Sequence, residues 1–105
     1  ETAAYLGKPG CVRRDDIVAD CNYIGPGYGE PTPGMIEAVL LLARLEGLLF
    51  DPVYSGKALA GMIDYLREGR FDGAQRIVFL HTGGAAGLFA YADRLGLGQE
   101  TRSQA

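Results

Sequence analysis

The chain has 105 residues, 48% of them hydrophobic, with 10 basic against 13 acidic side chains and a formal net charge of -3. That is an ordinary single-domain size with enough apolar material for a core, and a pI near 5.0 with Lys and Arg scattered singly excludes a basic face for a nucleic-acid backbone. The longest apolar run, Ala38 to Ala43, is far too short to span a bilayer, and the N-terminus has no basic-then-apolar signal pattern, so a cytoplasmic setting is expected.

In chain order, Glu1 to Leu6 reads as the end of a helix stopped by Gly7 and Pro9-Gly10. Cys11 and Cys21 are too few for a disulfide scaffold and read as reduced thiols. With His81 they offer no chelate spacing, and no metal site is expected. Asp16 to Tyr23, β-branched and apolar, predicts a short strand entering the turn Gly25-Pro26-Gly27-Tyr28-Gly29. A helix follows, with Thr32 as cap, Pro33 at its first position and Gly47 closing it. Its apolar residues wrap most of its circumference, which predicts a largely buried helix.

Leu48 to Phe50 is a brief extended piece, and Asp51-Pro52 marks a turn. A second helix is predicted from about Tyr54 to Glu68, with Ala58, Leu59, Met62, Ile63 and Leu66 as its apolar stripe and Lys57 outside it. Tyr54 and Ser55 stand at its start, where free N–H groups and the helix dipole favour negative charge. Beyond the polar turn Gly69 to Gln75, Arg76 to Leu80 reads as a buried parallel strand. His81-Thr82-Gly83-Gly84 then leads into a third helix through about Tyr91, and the tail from Gln99 to Ala105 is expected to be disordered.

The alternation of strand and helix predicts an α/β fold with a parallel sheet flanked by helices, and ligands of such sheets bind beyond the carboxyl ends of the strands. The turns after Tyr23 and Leu80 lie there, and with the turn before the second helix they make three glycine-bearing turns containing hydroxyls. Such turns suit a flat polar ligand approached by backbone and uncharged donors. The pattern specifies a site without its ligand. A nucleotide-binding reading fails on spacing, because Thr82 to Gly87 does not match Gly-x-Gly-x-x-Gly.

From about Asp20 to Tyr91, the three turns, the helix Pro33 to Gly47 and the run Gly61-Met62-Ile63-Asp64 resemble the C-terminal third of the D-cysteine desulfhydrase and 1-aminocyclopropane-1-carboxylate deaminase family. These are pyridoxal-phosphate enzymes of the tryptophan synthase β-like fold type II. The resemblance implies that residues 1–98 form the C-terminal part of the large cofactor-binding domain of a longer lyase. It implies that the missing N-terminal part supplies the Schiff-base lysine and the phosphate loop, and that the complete protein is a homodimer acting on a small amino acid. A truncated, non-catalytic module of the same family is the alternative.

By the same resemblance Tyr28 and Tyr54 face substrate and cofactor as catalytic residues, and Ser55, Thr82 and Gly83 contact the cofactor. Deaminases of the family have Glu after the motif tyrosine and Leu after the histidine of the third turn, whereas this chain has Ser55 and Thr82, as desulfhydrases have Ser or Thr. A hydroxyl beside the pyridine nitrogen makes a weaker electron sink than a carboxylate does, and expulsion of a thiolate needs less of one. The expectation is therefore β-elimination from D-cysteine to pyruvate, ammonia and hydrogen sulfide, with the cyclopropane deaminase as the alternative. Lys57 reads as an ordinary lysine at a helix start and His81 as a strand-end residue. Cys21 and the run Ala85-Ala86-Gly87 depart from the family pattern.

Overall fold

The computed structural model describes residues 1–97, so the tail expected from Gln99 to Ala105 lies outside the described residues. The described residues hold α1 (Thr2–Tyr5), which buries nothing, then α2 (Pro33–Glu46) and α3 (Ser55–Arg67), which pack on each other, with short 3-10 turns at Arg14–Asp16 and Ala85–Tyr91.

The ends of α2 are those its sequence dictates. Thr32 Oγ1 accepts from the Met35 N–H at 3.2 Å, Pro33 occupies the first turn, and Gly47 closes the helix at φ 67°. Burial is one-sided, however. Met35, Ala38 and Val39 are buried while Leu45 is exposed. These three meet Leu59 and Ala60 of α3 and Phe50, and Leu88 and Leu95 complete the core. At the surface an Arg67–Glu37 ion pair of 2.5 Å joins α3 to α2.

The helices approach most closely at Gly56. A Cβ added there would meet Asp51 O at 2.6 Å, Val39 Cγ2 at 2.7 Å and Met35 Cγ at 3.1 Å. Gly56→Ala is expected to cost about 1–3 kcal/mol by overpacking. A denaturant midpoint in the full-length protein checks it, and an unchanged midpoint would mean that the contact relaxes freely.

The expected parallel sheet does not form among the described residues, and neither do the predicted strands. Asp16 to Tyr23 contains the end of a 3-10 turn and then irregular backbone, and Arg76 to Leu80 has no regular secondary structure. Phe50 packs on Phe79 (ring centroids 5.5 Å apart), yet no backbone–backbone hydrogen bond joins their two segments. A strand exists only through a partner's ladder, and Val78, read as buried, is 91% exposed here. The third predicted helix is the 3-10 turn Ala85–Tyr91. No described helix is long and apolar enough to cross a membrane.

Candidate functional site

An open groove of about 970 Å³ runs between the turn Gly25–Gly29 and the exposed flank of α3. It is lined by Ala58 and Gly61 of α3, by the aromatic set Tyr23, Tyr65 and Phe71, and by Tyr28 and Tyr54. The two phenols meet hydroxyl to hydroxyl at 2.5 Å with their rings edge to face, centroids 5.9 Å apart. The structure thus brings together two residues 26 positions apart in the chain. Tyr54 is 61% exposed. Its hydrogen bond with Tyr28 foremost, then burial and the negative Asp51, holds its proton above the ordinary tyrosine range. The lowering by cationic neighbours that a phenolate base would need is not found. At neutral pH Tyr54 keeps its proton, and either hydroxyl of the pair can donate to the other.

Asp51 is the residue that the sequence reading missed. It is 3% exposed, and its carboxylate accepts from the N–H groups of Val53 (2.8 Å), Tyr54 (2.7 Å) and Ser55 (2.8 Å), and from Ser55 Oγ at 2.5 Å. Ser55 Oγ in turn accepts from the Asp51 N–H at 3.0 Å. The negative charge favoured by the start of α3 is therefore supplied from within the chain. Burial pushes the Asp51 carboxyl up, but the bonds from the Ser55 hydroxyl and the three N–H groups outweigh it and leave the pKa below the usual value. The signal was legible: an Asp one turn ahead of a helix-start Ser has the spacing of a cap.

Ser55 is buried, its one hydroxyl proton given to Asp51. Thr82 and Gly83 are exposed and stand outside the groove lining. The third turn joins the other two through Asp51, because Gly84, at φ 86°, leaves room for the aspartate: a Cβ there would lie 3.1 Å from Asp51 Cβ and Cγ. His81, read as a strand-end residue, follows a segment that forms no strand among the described residues, and its ring makes two hydrogen bonds. Its Nδ1 accepts from the Gly83 N–H at 3.0 Å, which leaves Nε2 to donate to Leu49 O at 2.9 Å. Lys57 is not the ordinary lysine expected, being buried with its ammonium bound to the carbonyls of Ile24 and Gly27. From the other side Tyr91 OH donates to Gly29 O at 2.9 Å, pinning the same turn.

Residues 3–83 match the family model described as pyridoxal-phosphate dependent enzyme, and the chain belongs to that family. Membership supports the fold type expected from sequence, and the family's cofactor is pyridoxal phosphate. Among relatives, the chain is 48% identical over 88 residues to 1-aminocyclopropane-1-carboxylate deaminases of Burkholderia ambifaria and Burkholderia vietnamiensis, covering 84% of this chain and 25% of each relative. The enzyme of the same name from Burkholderia cenocepacia is 47% identical over 90 residues, covering 86% and 27%. The chain thus spans about a quarter of the length of the relatives it matches.

The residues present fit one side of such a cofactor. Gly83, with φ 97° and nothing within 4 Å of where a Cβ would stand, leaves open backbone for a planar ring to approach. The phenol pair offers uncharged hydrogen-bonding groups at the groove. Neither lysine of the chain stands free at the groove, Lys57 being tied to carbonyls and Lys8 lying outside the lining.

Proposed function

We propose that the full-length protein is a pyridoxal-phosphate-dependent lyase that releases ammonia from a small amino acid, and that this chain is the active-site wall bearing Tyr28 and Tyr54. The carrying observation is the hydroxyl pair lining an open groove, in a chain of this family. Pyridoxal phosphate, when bound, supplies the electron sink for cleavage at the substrate's α- and β-carbons. Gly83 and Thr82 border it in this reading, and Ser55 stands behind them on Asp51. The Tyr28 hydroxyl binds the substrate carboxylate. Tyr54, whose proton is held above the ordinary range, delivers it to the departing atom.

The names of the relatives support 1-aminocyclopropane-1-carboxylate as the substrate, and there the departing atom is the ring methylene carbon. A second reading, elimination of thiolate from D-cysteine, is favoured by Ser55 and Thr82, hydroxyls where the family's deaminases have Glu and Leu. The carboxylate bound to Ser55 is that of Asp51, whose charge is spent on N–H groups and the serine hydroxyl. Ammonia release from each amino acid, with sulfide release from D-cysteine, separates the two in the reconstituted full-length protein. Release from neither sinks the lyase reading.

Ser55→Glu with Thr82→Leu is expected to move the ratio of kcat/KM toward the cyclopropane amino acid by about tenfold or more. An unaltered ratio removes both residues from substrate choice. Thr82→Leu alone, at an exposed position, is measured beside it, because the new carboxylate of the double variant is pressed against that of Asp51.

A further inference from the structure

Lys57 sits in the first turn of α3, where free N–H groups and the helix dipole disfavour a cation, yet it is 7% exposed. An ammonium buried without a counter-charge is costly, and among the described residues no carboxylate lies within ion-pair distance of it. Its Nζ instead donates to Ile24 O at 2.6 Å and to Gly27 O at 3.3 Å. Those carbonyls are the two shoulders of the turn around Gly25-Pro26, and Tyr28 is the next residue. At Gly25 the backbone has φ 73° and comes so near that a Cβ would lie 2.5 Å from Thr32 Cγ2 and 3.7 Å from Nζ. A lysine so placed does nothing for its own helix. What it holds is the other side of the groove.

We infer that Lys57 is a positioning residue whose ammonium, fastened to the carbonyls of Ile24 and Gly27, sets the Tyr28 hydroxyl against that of Tyr54. Charge and reach both matter: the stem crosses from α3 beneath the groove, and charge-assisted bonds to carbonyls are the stronger kind. The Tyr91 bond holds Gly29, the residue after Tyr28, while Lys57 holds the carbonyls before it. For turnover, the inference rests on the reading of the phenol pair as catalytic; for geometry it does not.

The test uses the full-length protein with ring-labelled tyrosine, following the Tyr54 phenol by NMR across pH and assigning it by its loss in Tyr54→Phe. In Lys57→Met, Tyr54 is expected to titrate at lower pH than in the unsubstituted protein, matching Tyr28→Phe, where its partner is gone. A titration unchanged from the unsubstituted protein overturns the inference. In turnover, Lys57→Met is expected to lower kcat by about tenfold with KM little altered, and to cost nothing further in the Tyr28→Phe background. An equal loss in both backgrounds also overturns it. Where Lys57→Met fails to fold, Lys57→Arg carries the same titration, because its bulkier planar head displaces the turn. If neither amino acid is turned over, the lyase reading falls while the titration still decides the role of Lys57.

Discussion

Tyr54→Phe is expected to lower kcat for ammonia release by about 10²–10⁴-fold, the span of a lost general acid, with a much smaller change in KM. The variant removes one oxygen and keeps the ring, which packs edge to face on Tyr28. Stability should therefore hardly move, since Tyr54 is exposed. The hydroxyl of Tyr28 loses its partner and is left to water, at little cost on so open a rim. Because the proposed role of Tyr54 is exercised in the transition state, the loss belongs in kcat and kcat/KM together. Steady-state kinetics on the full-length protein check it. Unchanged turnover removes Tyr54 from the chemistry, and a rise in KM alone reduces it to a binding group.

The second large effect is on stability. Asp51→Ala strips one buried carboxylate from three N–H groups and the Ser55 hydroxyl. Each buried donor left unsatisfied costs about 1–3 kcal/mol. Partial rescue by water at the start of α3 brings the expected loss to about 3 kcal/mol or more, a large share of an ordinary domain's stability. Asp51→Asn, which retains acceptor oxygen but not charge, should fall between. Denaturant unfolding of the full-length protein measures both. A loss below about 1 kcal/mol for the alanine variant would mean that this carboxylate is not what caps α3.

The sign of its pH dependence follows from the same bonds. The folded pKa of Asp51 lies below the unfolded value, so the unfolded chain binds its proton first as pH falls. The stability it contributes is fully present above the unfolded carboxylate pKa of about 4 and is lost as pH drops through the lower folded value. The difference in stability between the unsubstituted protein and Asp51→Ala should therefore narrow below about pH 4.

The helices α2 and α3 and their ends were legible because their causes are local, whereas the third predicted helix is a 3-10 turn. Thr32, Pro33 and Gly47 bound α2 through bonds and dihedrals within a few residues, and the stripe at helical spacing announced α3. The glycine turns and the motif Asp51-Pro52-Val53-Tyr54 pointed to the family that the comparison with known proteins shows. Even the Asp51 cap spans only four residues and could have been read. The strands were not legible in the same sense. Apolar, β-branched runs at Asp16 to Tyr23 and Arg76 to Leu80 state what a strand would be made of. Pairing is decided by neighbours, and none of the described residues provides a ladder.

What the sequence determined by itself was the starts and stops of α2 and α3, the glycine turns and the membership of a family. The tertiary structure alone decided that Tyr28 meets Tyr54, that Ser55 gives its proton to Asp51, and that Lys57 turns away from solvent to hold a loop 30 to 33 residues distant in the chain. The reason is physical. A cap or a glycine turn is settled by dihedrals and bonds over one turn of chain. The direction of a long lysine stem or the meeting of two phenols depends on how α3 lies against the Gly25–Gly29 turn, which contacts between segments far apart in the chain decide.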